Sequence, residues 1–304
     1  MKRAAWFVIT TVAVLSIASW AMAQGYGQTA QQTPPAATQG SQPAQGTQPA
    51  AGAPAAPQGK RQPMAKTDPE FAAYNTAKVI TDPPALEKAA DDFAIKFPDS
   101  ELRVLLYKMA TRGYQNLNNP DKTEAMGRKV LAIDGDDPES LVVVAEVIAE
   151  KTHDSDLDKD QRYDDAMKLA QKATQTVDTD LAIPADKLEI AKAFLRSSAY
   201  SIMGTIEFKK ENFAAAQVDL QKSIDAFPAQ PDPVVVLRLA IALDKQQKYP
   251  EALKVAIHAV EVAQAQPNPN ANVVTLAQRE RDRLQQLTGG AAAPAPAATQ
   301  PPKN

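Results

Sequence analysis

The sequence contains no cysteine. Disulfides and thiolate metal sites are excluded, so the stability of the chain has to come from packing alone. Histidine is almost as scarce: His153 and His258 stand far apart along the chain, a spacing that suggests no metal site. Glycine-rich phosphate loops, a Gly-x-Ser-x-Gly elbow and a His-Glu-x-x-His helix are all missing, and Gly289-Gly290 opens an Ala/Pro-rich tail rather than a helix. Basic residues are not in excess either. The formal net charge is −3, and nucleic-acid binding usually demands a basic patch. The expectation is a non-enzymatic protein with no cofactor, no metal and no nucleic-acid partner. Aromatic residues make up only 6% of a chain whose apolar content is 44% and rich in Ala and Leu, a balance typical of packed helices.

The N-terminus follows a secretory pattern. Lys2 and Arg3 precede an apolar run from Ala4 to Trp20, and Ala21-Met22-Ala23 supplies small residues for cleavage before Gln24. Residues 1–23 are therefore expected to be a signal peptide, leaving a periplasmic or secreted protein with no stable membrane span. An uncleaved anchor is the alternative, since the run is only slightly shorter than a bilayer requires. No cysteine follows it, which excludes a lipoprotein anchor. Between Gln24 and Gly59 there is no charged residue, and Tyr26 is the only large apolar side chain. Nothing there offsets the entropy of ordering, so residues 24–66 are predicted to be a disordered Gln/Pro/Ala-rich tether. Residues 289–304 are predicted to be a tail of the same kind.

Residues 67–288 read as successive helices. Breakers recur at Asp82-Pro-Pro84, Phe97-Pro-Asp99, Asn118-Asn-Pro120, Asp136-Asp-Pro138, Pro184, Phe227-Pro228, Pro231-Asp-Pro233 and Gln266 to Pro269. Each Pro tends to end one helix, and a neighbouring Asp, Asn or Ser can cap the next. Ala252, Val255, Ala256, Ala259 and Val260 recur at helical spacing, and no segment alternates as a strand would. Five helical pairs are predicted, at 69–97, 100–134, 138–177, 184–227 and 233–265, with a capping helix near 271–288.

The pairs repeat one another. Tyr163 leads to Ala166, Ala170 and Ala173; Phe213 leads to Ala216, Leu220 and Ser223; Tyr249 leads to Ala252, Ala256 and Ala259. The spacing is three, four and three in each case, with a weaker copy read as Thr123, Met126, Val130 and Ile133. Such spacing lays residues along one helical stripe, and small side chains there let a neighbouring helix approach closely. A single pair cannot bury its face alone, so stacking is obligatory.

This pattern resembles the tetratricopeptide repeat family over residues 67–288. Tyr200, Met203, Gly204, Phe213, Ala216 and Pro228 match the family's positions in the fourth pair, and Val236, Leu239, Ala240, Leu243, Tyr249 and Ala252 match in the fifth. Departures are Pro83 where the first pair should carry an aromatic, extra residues in the turn of the third pair, and an overlong first helix in the fourth. The segment from Phe93 to Ser100 is similar to repeats of envelope assembly factors. The resemblance implies an all-α, right-handed solenoid of antiparallel helix pairs that binds a protein or peptide on its concave side. By position it points to Thr111 and Gln115, Val142 and Glu146, Ser201 and Thr205, and Leu237 and Ile241, with Arg112 and Arg238 beside them. Membership of an envelope complex is a further expectation.

One segment offers a different chemistry. Asp154, Asp156, Asp158 and Asp165 fall at positions one, three, five and twelve of a calcium loop, but Lys159 occupies the position that needs Gly, and the twelfth residue is Asp rather than the longer Glu. The alternatives are a ligand-binding loop and a solvated acidic insertion.

The small-residue stripe is directly testable. Ala216→Leu or Ala252→Leu should overpack a helical pair and cost on the order of 1–3 kcal/mol, and unchanged thermal melting of both variants would contradict the register.

Overall fold

The computed structural model describes residues 59–289. The predicted signal peptide, most of the tether and the tail beyond Gly289 lie outside these residues. Among the described residues every regular element is an α-helix. The helices are α1 (Asp68–Ala77), α2 (Pro83–Lys96), α3 (Leu102–Asn116), α4 (Pro120–Ile133), α5 (Pro138–Lys151), α6 (Lys159–Thr176), α7 (Ala185–Lys209), α8 (Phe213–Ala226), α9 (Pro233–Lys245), α10 (Tyr249–Ala265) and α11 (Ala271–Gly289). They form the five predicted pairs plus the terminal helix.

Helix starts follow from the proline punctuation. Asp82, Asn119, Asp137 and Asp232 each accept a backbone N–H of the next turn through the side chain, and a Pro follows each cap inside that first turn. The missing proline N–H costs nothing there, because first-turn donors have no intrahelical partner. Within pairs two, four and five the turn is the same. Asn118, Glu211 and Gln247 adopt positive φ, and the residue after each donates its N–H five residues back, to Tyr114, Glu207 and Leu243 respectively. This left-handed closure satisfies carbonyls at the end of the first helix.

Packing is between neighbours in sequence. Each helix contacts the next, and first helices also touch across pairs: α1 with α3, α5 with α7, α7 with α9 and α9 with α11. The second helices carry the three-four-three stripe in all five pairs. Leu86, Ala90 and Phe93 in α2, Thr123, Gly127 and Val130 in α4, Ala166, Ala170 and Ala173 in α6, Ala216, Leu220 and Ser223 in α8, and Ala252, Ala256 and Ala259 in α10 are all buried. The register expected for the second pair requires correction by three residues. The shared turn aligns Pro120 with Phe213 and Tyr249, so Thr123 begins the stripe instead of occupying the aromatic position. Gly204 shows how tight the contact is. A Cβ at Gly204 would lie 2.7 Å from Leu220 Cγ and 2.9 Å from the Leu220 backbone nitrogen, so α7 and α8 meet where only glycine fits.

The two departures in length noted in the sequence are both present. Residues 152–158 make the longer turn of the third pair, and α7 runs to 25 residues. The end of the predicted tether requires correction: residues 59–66 are ordered against the helical array, where Lys60 and Arg61 pair with Asp134 and Glu101. Charge explains the correction, since ion pairs help offset the ordering entropy of these residues.

A network of charges joins the second and third pairs. Lys108 Nζ on α3 lies 2.7 Å from Asp137 and 2.9 Å from Glu139, and Arg112 reaches Glu139 at 2.6 Å. Asp137 also caps α5 through Ser140 N–H. Burial works to raise the Glu139 carboxyl, but Lys108 and Arg112 overcome it and hold the group down at about 2. Lys108→Met would leave Asp137 half satisfied and Glu139 with one partner. The expected loss is about 3 kcal/mol, read from the urea midpoint; an unchanged midpoint would show that the network adds no stability.

Candidate interaction surface on the first helices

The ten residues expected on a binding face do not share one environment. Thr111, Val142 and Leu237 are buried in the helix packing, and the Thr111 hydroxyl donates to the Tyr107 carbonyl of its own helix. These three are structural positions rather than surface ones. They follow the family's numbering around the helix, but the crossing of α3, α5 and α9 turns that side toward a neighbour. Arg112 is occupied by Glu139. Gln115 and Ser201 remain half-buried on α3 and α7, and Ile241 packs partly against the last core cluster.

Glu146, Thr205 and Arg238 are brought together, because α5 packs on α7 and α7 on α9. The Arg238 guanidinium donates to Thr205 Oγ1 at 2.7 Å. Among the described residues no carboxylate comes within ion-pair distance of it. Three groups that the sequence reading passed over complete the cluster. Glu150 lies one turn beyond Glu146 on α5, Lys209 lies one turn beyond Thr205 on α7, and Asp232 caps α9. A continuation at four residues from the named positions finds the first two. Asp232 was legible only as a helix cap. Lys209 Nζ donates to the Ala149 carbonyl at 2.7 Å, placing a cation at the C-terminal end of α5.

Glu146, Asp232 and Arg238 are half-buried and Glu150 and Lys209 exposed, with few direct partners among them. Burial, reinforced by Glu150 and Asp232, pushes the Glu146 carboxyl up to about 8. Burial raises Glu150 as well, against the pull of Lys209 and Arg238, and raises Asp232 against its backbone hydrogen bond to Val234 and the charge of Arg238. Burial lowers Lys209, and the like charge of Arg238 adds to it. The carboxylates of Glu146 and Glu150 accept no hydrogen bond from the described residues. Carboxylates, a guanidinium and an ammonium on α5, α7 and α9 therefore lie close enough to shift one another electrostatically, with donor and acceptor capacity unused.

The other candidate chemistry does not assemble. Asp156 accepts the His153 N–H and pairs with Arg162 at 3.2 Å, while Asp164 pairs with Lys210 at 2.9 Å. Asp165 lies well inside α6, pairing with Lys168, so the acidic segment folds as a helix entry rather than a wrapped loop. No group of three or more His, Asp or Glu side chains able to hold a metal occurs among the described residues. His153 and His258 are both exposed, on the α5–α6 turn and on α10. Among the same residues no helix is long and apolar enough to cross a membrane.

No protein-family model matches the chain, and no curated protein matches it in sequence. Among solved structures it is similar to the assembly chaperone of RpL4 (Acl4), at 13% identity and a TM-score of 0.37, over 73% of this chain and 99% of that one.

The elevated Glu146 has a consequence for stability. A carboxyl whose folded value is about 8 against an unfolded value near 4.5 binds its proton more tightly in the folded state. Its contribution therefore favours folding at acid pH and is progressively lost as pH rises from about 4.5 to about 8. Glu146→Gln should raise the melting temperature at pH 8 and change it little at pH 5; equal shifts at both pH values would mean the carboxyl is ordinarily solvated.

Proposed function

We propose that this chain is an exported, non-catalytic helical-repeat scaffold that holds a protein or peptide partner in the cell envelope. Its contact surface is the face of α5, α7 and α9 centred on Arg238, with Glu146, Glu150, Thr205 and Lys209. The observation that carries this reading is Arg238. Its guanidinium is half-buried and has one side-chain hydrogen bond, to a neutral hydroxyl, out of five available donors. Desolvating a charge without pairing it is unfavourable. A partner that supplies a carboxylate or a backbone carbonyl recovers that cost on binding, and Glu146 and Glu150 offer the complementary acceptors for a basic or amide group. Stacked helical pairs favour the same reading, since repeats of this kind present extended surfaces built from many equivalent positions.

Export rests on the secretory pattern of residues 1–23. Cleavage there makes Gln24 the first residue of the mature protein, with residues 24–58 as a spacer between the helical array and whatever the N-terminus meets. A stable membrane-bound assembly and a freely ranging scaffold are distinguished by whether the partner co-purifies with the membrane or the soluble fraction.

The test uses the tagged full-length chain on envelope extracts, comparing wild type with Arg238→Gln and with Lys222→Gln, an exposed lysine on α8. Partner recovery should fall at least about tenfold for Arg238→Gln, equivalent to about 1.4 kcal/mol, and stay unchanged for Lys222→Gln. Equal recovery by wild type and Arg238→Gln would place the contact elsewhere. Intact-mass measurement of the purified chain should show a protein beginning at Gln24; retention of Met1 would contradict export by cleavage.

A further inference from the structure

The first three junctions between successive pairs carry acidic groups. Asp99 and Glu101 lie between α2 and α3, Asp134 lies between α4 and α5, and Asp180 lies between α6 and α7. The segment Gly59–Lys66 touches all three. Lys60 donates its backbone N–H to the Leu181 carbonyl at 2.9 Å, and its ammonium lies 2.7 Å from Asp134 and 3.4 Å from Asp180. The Arg61 guanidinium spans both oxygens of Glu101, at 2.7 and 2.8 Å, and the Met64 N–H donates to the same carboxylate. Lys66 Nζ donates to the Asp99 carbonyl at 2.7 Å. At the far end the fit is also steric: a Cβ on Gly59 would lie 2.5 Å from the Leu181 carbonyl oxygen and 3.3 Å from Leu188 Cδ1. Only glycine can approach the chain there.

We propose that Gly59–Lys66 is an intramolecular ligand, a basic strap recognised by the acidic edge of the pair junctions, and that it fixes the separation of the first three pairs. Two physical arguments carry this. Repeat arrays are held by nearest-neighbour contacts, so small rotations at each interface accumulate along the stack. The strap joins the start of α1 to the junction after α6, skipping two pairs, and therefore opposes the accumulated rotation directly. Secondly, the six residue steps from Lys60 to Lys66 span at most about 20 Å when fully extended, so with both ends anchored the array cannot splay beyond that reach. Gly59, the first described residue, lies at the third-to-fourth junction, away from the tip of α1. A release of the strap would leave Glu101, Asp134 and Asp180 as an open anionic edge.

The absence of native cysteine makes the test clean in the full-length protein. Spin labels at Val79→Cys and Val218→Cys, both exposed sites, report the distance from the first pair to the fourth. In K60E/R61E the distance distribution should broaden and shift outward, while helical content is retained. The wild type in 1 M salt, where the screening length falls to about 3 Å, should move in the same direction. Gly59→Val, which removes the steric fit and no charge, should do likewise and guards against misfolding of the charge-reversed chain. Lys88→Glu reverses an exposed charge on α2 away from the strap and should leave the distribution unchanged. Superimposable distributions for wild type, K60E/R61E and Gly59→Val would overturn the proposal, as would an equal shift in Lys88→Glu.

Discussion

The close approach of the two helices within each pair is the constraint on which the rest of this structure depends. Every second helix offers the same three buried positions, and most of them are small. Where α7 and α8 cross, Gly204 meets Leu220 with no space for a methyl group. That proximity sets the angle at which one pair meets the next, and through it decides which side chains of the first helices point inward. The aromatic content of 6% fits this: Tyr163, Phe213 and Tyr249 lead the stripes of their helices, and Phe93 is the one aromatic among the fifteen stripe positions themselves. Without cysteine, no covalent link relieves this demand on packing.

Two charged clusters show what helix packing does with similar residues. At the α3–α5 contact, Lys108 and Arg112 are matched by Asp137 and Glu139, and the carboxyl of Glu139 is driven far toward its ionised form. One step along the array, at α5, α7 and α9, Glu146 and Glu150 share a face with Arg238 and Lys209 yet lack direct partners, and the carboxyls are driven the other way. The same residue types thus shift in opposite directions according to whether a cation of the neighbouring pair lies within ion-pair distance.

The helical layout was readable because proline, Asp and Asn mark the helix boundaries and the small-residue spacing marks the pairs. The second pair was misregistered because its aromatic position holds Pro120, which carries no packing signal, and because positive φ falls on Asn118, Glu211 and Gln247. Glutamate and glutamine do not announce such a turn as glycine does. Of the expected surface residues, Glu146, Thr205 and Arg238 converge, whereas Thr111, Val142 and Leu237 are buried by crossings that no single helix encodes. The binding of Lys60 and Arg61 to the array was illegible for a related reason: the acidic groups they meet are between 40 and 120 residues away, and only the fold brings those junctions into one row.

The terminal helix has a role beyond completing the last pair. Val273, Ala277 and Leu284 on α11 are buried against the end of the stack, and its remaining surface is largely polar, with Arg279, Glu280, Arg281 and Asp282 in succession. A stack of similar units with an uncovered apolar end can accept the beginning of another molecule, and that joint never closes into a ring, so it grows as a fibre. With Val273, Ala277 and Leu284 turned inward and charge on its outer side, α11 offers little apolar surface on which the first pair of a second stack could seat.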